Sequence, residues 1–269
     1  MIGCWRLRRY VLNNVLQKAR NPQAESYPDI TTSPTRTIAA IIPAYNEAGR
    51  IRRVLQTLHD VRQLGEIIVV DDGSSDGTAQ ESRLEAESDA RIRLIIQPTN
   101  MGKGQAIYSG WQATRANCIL MLDADLCGLT SQHIVDLYQP VLAGQADMTI
   151  GLFHGGYWRT DLSHWATPWL SGQRCFRADL LKKISWEAAA GYGIETALTV
   201  AAQLNDWKIV KVPWLGAWHT PSEDRRGFWR GMGRRSMMYL QIIRAWYVAG
   251  GLMCLGIRFG RKSRVSNLN

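Results

Sequence analysis

Ile119-Leu120-Met121-Leu122-Asp123-Ala124-Asp125-Leu126 is the stretch around which the chain is organised. An apolar run followed by two carboxylates one residue apart predicts a buried strand with Asp123 and Asp125 at its carboxyl end. Open α/β sheets bind their ligands at that edge. The two carboxylates repel each other unless a cation lies between them, and hard oxygen ligands suit Mg²⁺ or Mn²⁺. The pair is therefore a candidate metal site, and the alternative is a role in capping the next helix.

Predicted strands and helices alternate on both sides of this stretch. Apolar runs bounded by turns indicate strands, and apolar residues repeating every three or four positions indicate helices. The alternation predicts an α/β protein with a Rossmann-like, mostly parallel sheet flanked by helices. Since the sequence holds neither a Gly-x-Gly-x-x-Gly nor a Walker loop, it favours neither a dinucleotide-binding protein nor an ATPase. The predicted strands cover residues 37–43, 66–70, 91–97, 118–122, 147–152 and 208–212, and the helices cover residues 46–61, 100–115, 131–143 and 195–204.

Three loops follow predicted strands and carry acidic or amide side chains. They are Pro43–Glu47, Asp71–Thr78 and Asp123–Cys127. In a parallel sheet the carboxyl ends of the strands lie at one edge, so these loops are expected to meet. Their oxygen atoms can hold ribose, base or metal.

Four motifs resemble those of family 2 of the GT-A nucleotide-sugar transferases, in the family's order and spacing. The resemblance covers residues 37–220 and is closest to the dolichol- and polyprenyl-phosphate sugar transferases and the glucosyl-phosphoglycerate synthases. It implies a GT-A fold and a metal-dependent glycosyltransferase that moves a sugar from a nucleoside-diphosphate sugar to an acceptor, with Mg²⁺ or Mn²⁺ as cofactor. The motifs are Ile42-Pro43-Ala44-Tyr45-Asn46-Glu47, Val69 to Thr78 (VVDDGSSDGT), Asn100-Met101-Gly102-Lys103-Gly104 and Leu122-Asp123-Ala124-Asp125.

The resemblance also implies roles on the donor side. Pro43, Tyr45 and Glu47 would line the nucleoside pocket, with Glu47 on the ribose or base. Asp72 would accept a hydrogen bond from the base. Lys103 would lie near the phosphates as a point charge, and Asp123 and Asp125 would reach the diphosphate through the metal, which makes Asp125 a candidate catalytic residue.

On the acceptor side, the resemblance points to Ser171 and Arg174. Glu195 would be the base or an acceptor contact, the alternative being that it only complements the dipole of its helix. His219 would be a further metal ligand, or else a polar loop residue. The acid and arginine that precede the Ser-Gly pair in polyprenyl-phosphate enzymes are absent from residues 166–170, and Cys127 stands where the closest lipid-linked relatives tend to carry Gln.

Three interpretations of the function therefore remain open. One is a lipid acceptor, either a polyprenyl phosphate or a lipid alcohol. Another is a small phosphorylated acid such as 3-phosphoglycerate. The third is a catalytically silent nucleotide-sugar-binding adaptor at the membrane.

The basic residues are concentrated at the two ends of the chain. Residues 1–20 hold five basic side chains and no acid, and residues 225–269 hold ten and no acid; since the net formal charge is +9, residues 21–224 carry −6. This distribution argues against nucleic acid as a partner and favours an anionic membrane surface. Both ends show amphipathic helical spacing, and the longest apolar run is too short to span a bilayer.

We therefore expect three regions and a peripheral protein on the cytoplasmic face of a membrane. Residues 1–36 would form a basic amphipathic helix and linker, 37–224 the catalytic domain, and 225–269 a basic amphipathic tail in the membrane interface. The five cysteines form no close pair in the sequence and no metal-binding spacing, which predicts free thiols in a reducing compartment.

Overall fold

The structure is a computed structural model that describes residues 37–154, 171–189, 193–219 and 265–267. Strands and helices alternate as the sequence predicts. The strands are β1 (Ile38–Ala44), β2 (Leu64–Asp71), β3 (Ile92–Ile96), β4 (Cys118–Met121), β5 (Leu126–Cys127), β6 (Met148–His154), β7 (Arg174–Arg177), β8 (Ile209–Leu215), β9 (Trp218–His219) and β10 (Val265–Asn267). The helices are α1 (Ile51–His59), α2 (Thr78–Ser88), α3 (Lys103–Gln112), α4 (Ser131–Leu142), α5 (Trp186–Ala189) and α6 (Ile194–Leu204), with a 3₁₀ helix at Ala178–Lys183.

Eight strands form the main sheet in the order β10-β8-β6-β7-β4-β1-β2-β3. All neighbours are parallel except that β7 runs antiparallel to both β4 and β6. The α/β class and the mostly parallel sheet predicted from the sequence are thus confirmed. A second, two-stranded sheet pairs β5 with β9.

Apolar side chains cover both faces of the main sheet, because helices lie on both sides. On one face, α1 buries Ile51, Val54, Leu55 and Leu58, which recur at three- and four-residue spacing. On the other face, α3 and α6 pack against β1 and β4. A core on each side holds the strand ends in fixed register, which is what allows their loops to form a site.

Two parts of the fold are absent from the sequence-based prediction. The antiparallel strand β7 enters the sheet between β4 and β6, and the short pair β5–β9 joins the loop after β4 to the end of the catalytic region. β7 also brings Cys175 beside Cys118, 57 positions away, with the two Sγ atoms 3.3 Å apart as free buried thiols. The cysteines are distant in sequence, but these two are neighbours in the fold.

Within the described ranges, no helix is both long enough and apolar enough to cross a membrane. The amphipathic helices expected at residues 1–36 and 225–264 lie outside the described residues. Residues 265–267 are described, and their strand β10 pairs with β8. The end of the predicted tail therefore contributes a strand to the catalytic sheet.

Candidate active site

The loops after β1 and β2 are held together by hydrogen bonds from successive backbone amides. The N–H groups of residues 46 to 49 each donate to a side chain of the second loop or of α2. The acceptors, in order, are Ser74, Thr78, Asp76 and Glu81. Three of these four bonds use the hydroxyl and carboxylate groups in which the second motif is rich, and they hold the two loops together.

Glu47, Tyr45 and Pro43 lie on the loop that this network holds. The Glu47 carboxylate is 12% exposed and forms an ion pair with Arg50, with Oε2 2.5 Å from Nε. The Tyr45 side chain is exposed and Pro43 is half-buried at the end of β1. The loop therefore offers an aromatic ring to solvent beside a fixed carboxylate, and the nucleoside roles of these residues stay predictions.

Asp72 fixes the loop that leads into α3. Its two carboxylate oxygens accept hydrogen bonds from the backbone N–H groups of Met101 and Gly102, at 2.7 and 2.8 Å. Burial raises the pKa of the Asp72 carboxyl, and these two amides act in the opposite direction. Gly102 has a φ of 91°, a conformation that favours glycine, which explains the first glycine of the Asn-Met-Gly-Lys-Gly motif. A base contact by Asp72 stays a prediction.

Lys103 joins the part of the site predicted to bind the donor to the part predicted to bind the acceptor. It is the first residue of α3, and its ammonium Nζ lies 2.5 Å from Asp123 Oδ1 and 2.6 Å from Glu195 Oε1. Burial alone would lower the pKa of Lys103, but the two carboxylates outweigh it and raise the pKa above its usual value. Lys103 is therefore a cation at neutral pH. The sequence predicted all three residues as site residues, and the fold brings them together.

Gln173 holds Asp123 and Gly172 lies against it, and the sequence analysis did not identify either residue individually. Gln173 Nε2 donates to Asp123 Oδ2 at 2.7 Å, and Gln173 Oε1 accepts the Asp123 N–H at 3.1 Å. Gly172 lies so close that a Cβ there would be 2.5 Å from Asp123 Oδ2 and 2.7 Å from Lys103 Nζ. The only sequence signal for either residue was the resemblance of the segment Ser171–Arg174 to an acceptor-side element.

Ser171 and Arg174 lie in the interior. Ser171 Oγ donates to the carbonyl of Gly151 at 2.6 Å. The Arg174 guanidinium donates to the Ser171 carbonyl and to Thr199 Oγ1, and burial lowers its pKa to about 10, although Glu195 raises it. Both side chains are fully buried, so they hold β7 against β6 and α6. Their contact with an acceptor stays a prediction.

Asp125 is half-buried on the loop between β4 and β5. The register of the small sheet pairs Leu126 with His219, which places the His219 backbone directly across from the residue after Asp125. Two glycines with positive φ, Gly128 and Gly216, permit this approach, since a Cβ on Gly128 would lie 2.1 Å from the Gly216 carbonyl oxygen. Asp125, a predicted metal ligand, therefore immediately precedes β5, which pairs with the strand β9 that carries the other predicted ligand, His219.

These residues fit a hard divalent cation that is bound together with a phosphate. Asp123 and Asp125 supply carboxylate oxygens at the edge of the sheet, and Mg²⁺ is usually held by one or two carboxylates, water and substrate phosphates. Among the residues with described side chains, which exclude His219, no three His, Cys, Asp or Glu groups are placed to hold a metal ion.

Comparison with known protein sequences places this chain in a family. Residues 39–194 match the model of the family described as Glycosyl transferase family 2. The chain is 30% identical over 209 residues to polyprenol monophosphomannose synthase of Mycolicibacterium smegmatis, which covers 68% of this chain and 78% of that protein. It is 39% identical over 124 residues to a dolichyl-phosphate beta-glucosyltransferase of Trichomonas vaginalis. That match covers 42% of this chain and spans only 38% of the length of the relative.

Solved structures share the fold. Glucosyl-3-phosphoglycerate synthase from Mycobacterium tuberculosis, in complex with Mn²⁺, UDP-glucose and phosphoglyceric acid, superposes with a TM-score of 0.64. The match covers 80% of each chain at 23% sequence identity. At this identity, the likeness establishes the common GT-A architecture.

Proposed function

Because the chain belongs to glycosyl transferase family 2, we propose that it transfers a sugar from a nucleoside-diphosphate sugar to an acceptor and uses Mg²⁺ or Mn²⁺. The observation that carries the proposal is the contact of one cation, Lys103, with two carboxylates, Asp123 and Glu195, at the carboxyl edge of the sheet. A binding protein without catalytic activity has no need of this partly buried charged cluster. The cluster therefore argues against the adaptor alternative.

The chemistry follows from the charges in the cluster. The bond between the anomeric carbon and the diphosphate oxygen breaks, negative charge builds on that oxygen, and a new bond forms from the anomeric carbon to an acceptor oxygen. A bound divalent ion would stabilise the charge on the leaving diphosphate. Asp123 and Asp125 would hold that ion, and Lys103 supplies a fixed positive charge beside it. His219 is the further proposed ligand.

Glu195 decides what acceptor chemistry is open to the site. An alcohol acceptor must lose a proton, and Glu195 is the carboxylate on the acceptor-side helix α6 that can take it. A phosphate acceptor is already an anion, so its transfer requires no strong base. In that case Glu195 would position Lys103.

We favour a lipid acceptor, with a polyprenyl phosphate as the first candidate. The relatives that resemble this chain in sequence are named for dolichyl-phosphate and polyprenol substrates. The concentration of basic residues at the two ends of the chain also suits a protein at the cytoplasmic face of an anionic membrane. Ser171 and Arg174 are both buried, so they are proposed to support the acceptor-binding part of the site from the protein interior.

A small phosphorylated acid is the second candidate acceptor. Glucosyl-3-phosphoglycerate synthase shares the fold and was solved with phosphoglyceric acid. Residues 166–170, directly before Ser171, also lack the acid and arginine typical of polyprenyl-phosphate enzymes. These two observations keep 3-phosphoglycerate in the test.

The test has a binding stage and a transfer stage. A thermal-shift screen of UDP- and GDP-sugars with Mn²⁺ identifies the donor, because a ligand stabilises the folded protein according to its occupancy. Transfer of the radiolabelled sugar is then measured to undecaprenyl phosphate and, separately, to 3-phosphoglycerate. Asp125→Asn should abolish transfer without lowering Tm, while Asp60→Asn, a change at an exposed position, should leave transfer intact. Full activity of the Asp125 variant would refute the metal assignment, and no donor turnover would refute the transferase.

A further inference from the structure

Gln173 is attached to the sheet on one side and to Asp123 on the other. It lies just before β7 and is fully buried. Its carbonyl accepts the Gly151 N–H at 2.8 Å, and its N–H donates to Ser171 Oγ at 3.3 Å. Ser171 Oγ in turn donates to the Gly151 carbonyl. The backbone of Gln173 is thus fixed to β6 before its side chain reaches the site.

The side chain of Gln173 makes two hydrogen bonds to the same residue. Its oxygen accepts the backbone N–H of Asp123, and its nitrogen donates to Asp123 Oδ2. Because the two bonds join both the backbone and the carboxylate of Asp123 to one planar amide, they restrict the rotation of the aspartate side chain. The other carboxylate oxygen, Oδ1, is thereby directed at Lys103.

A neutral amide suits this pair of bonds, because it carries an acceptor and a donor side by side at neutral pH. A carboxylate at position 173 would place an anion against Asp123 Oδ2, and an apolar side chain would remove the acceptor that Gln173 offers to the part-buried Asp123 N–H. Gly172 is the second requirement, since any Cβ there would enter the space between Asp123 and Lys103. The Gly-Gln pair therefore suits the particular orientation of Asp123.

We propose that Gln173 is a positioning residue, which fixes the carboxylate of Asp123 in the orientation that binds the donor's diphosphate through its metal. The proposal rests on the proposed function, because Asp123 has this task only in a nucleotide-sugar transferase. In this role Gln173 would act through Asp123, to which both of its side-chain hydrogen bonds are made. Residues that orient metal ligands are commonly worth 10- to 100-fold in metal affinity or activity, and we expect a loss of about that size.

The test compares two substitutions at position 173 with a matched control. Gln173→Met keeps the length of the side chain and removes both hydrogen bonds, whereas Gln173→Glu keeps an acceptor for the Asp123 N–H and introduces a repulsive charge. Gln132→Met is the control, because Gln132 Nε2 also donates to an aspartate, Asp136, at 2.7 Å, but on the exposed face of α4. The Tm of each protein reports whether it folds.

Two measurements follow on the full-length protein. Isothermal titration with Mn²⁺ in the presence of UDP, and of GDP, gives the metal affinity of the nucleotide complex. Hydrogen–deuterium exchange of the peptide that contains Asp123 reports directly on the N–H that Gln173 accepts. We expect both 173 variants to lose about 10-fold or more in Mn²⁺ affinity, Gln173→Met to exchange faster at Asp123, and the control to change neither.

The outcomes separate this inference from the proposed function. Unchanged Mn²⁺ affinity in both 173 variants would overturn the positioning role. If the unsubstituted protein binds Mn²⁺ with neither UDP nor GDP, the proposed function fails, and the exchange measurement still decides the contact: unchanged exchange at Asp123 in Gln173→Met would show that Gln173 does not hold it. A 173 variant that fails to fold is replaced by Gln173→Asn, which keeps the amide but shortens its reach and should give the same loss.

Discussion

Lys103 and Glu195 are 92 positions apart in the sequence, yet Lys103 Nζ lies 2.6 Å from Glu195 Oε1. The same ammonium group contacts Asp123 Oδ1. Lys103 therefore connects three parts of the fold, namely the start of α3, the loop that follows β4, and the first turn of α6. A change at Lys103 is expected to affect both halves of the site together.

Lys103→Met should lower both the stability and the activity of the protein. It leaves Asp123 and Glu195 close together, partly buried and without their cation, and removal of one partner from a buried ion pair costs about 3 kcal/mol or more. The free energy of unfolding from urea titration measures this loss. The double variant Lys103→Met/Glu195→Gln should recover part of the stability and none of the transfer activity. Equal instability of the single and double variants would contradict the coupling.

Asp72→Ala should weaken nucleotide binding and mainly raise KM. Two causes are separable, since the carboxylate is predicted to read the base and also holds the Met101 and Gly102 amides. If the loop anchor is lost, affinity for UDP and GDP should fall by similar factors; if a base contact is lost, affinity should fall for the preferred nucleotide alone. Isothermal titration with both nucleotides distinguishes these cases. A defect in kcat alone, with donor affinity unchanged, would exclude both roles.

Gly128→Ala should weaken the metal-dependent part of nucleotide binding. The added Cβ would lie 2.1 Å from the Gly216 carbonyl oxygen, so β5 and β9 must separate, and the residues predicted as metal ligands, Asp125 and His219, separate with them. Gly144→Ala is the control, because Gly144 also has positive φ but no atom within 4 Å of the added Cβ. Backbone strain should cost each variant about 1 kcal/mol of stability, and the clash with Gly216 should add a further loss in Gly128→Ala alone.

Isothermal titration of Mn²⁺ in the presence of the nucleotide distinguishes the two glycine variants. Only Gly128→Ala should bind Mn²⁺ more weakly than the unsubstituted protein. Equal Mn²⁺ affinity in the two variants would mean that the β5–β9 pairing does not shape the site.

The position of the three candidate loops at one edge of the sheet could be predicted because its signals are local. Each of the three loops follows an apolar run, and parallel strands place their carboxyl ends at one edge. The contacts of Asp72 could not be predicted in the same way, since they depend on the conformation of residues 100–102, where Gly102 adopts a positive φ.

The strand β7 accounts for most of what the sequence did not reveal. Its four residues, Arg174–Arg177, are too few for a periodic pattern, and their antiparallel register with β4 is a tertiary property. That register brings Gln173 to Asp123 and buries Arg174, which the sequence predicted as an acceptor contact. Charge alone suggested a surface role for Arg174, whereas Thr199 and the Ser171 carbonyl provide partners that allow an interior one.

The stability of the fold should decrease as the pH falls below the usual pKa of histidine, because of His133. The Thr130 N–H donates to His133 Nδ1, and the ring stacks on Trp214, so the fold requires the neutral imidazole. Burial lowers the pKa of His133, although Asp136 and the Leu215 carbonyl act in the opposite direction. Since the unfolded chain takes up the proton first, protonation favours unfolding as the pH falls from about 6.5 towards the lowered pKa of the folded state.

His133→Gln tests this account, because glutamine keeps an acceptor for the Thr130 N–H and does not titrate. Its Tm should change less between pH 7 and pH 5 than that of the unsubstituted protein. His59→Gln serves as the control, since the His59 side chain is 55% exposed. An equal pH dependence in the His133 variant would assign the effect to other groups.

The last prediction concerns the basic tail, residues 225–269. Arg226, Arg230 and Arg234 recur at intervals of four and are predicted to face an anionic membrane. Truncation is a poor test, because residues 265–267 pair with β8 and their removal would expose the edge of the catalytic sheet.

Reversal of the three charges to glutamate is a sharper test of the tail. Each basic residue near an anionic surface contributes about 1 kcal/mol, so loss of the three attractions alone should reduce partitioning to anionic liposomes by roughly 100-fold. The control variant, Arg53→Glu/Arg62→Glu/Arg83→Glu, makes the same change in net charge at exposed positions of the catalytic domain and should still partition. Donor binding should survive in both variants. Cosedimentation with liposomes at low and high salt measures the effect, and equal partitioning of the two variants would show that the tail is not the anchor.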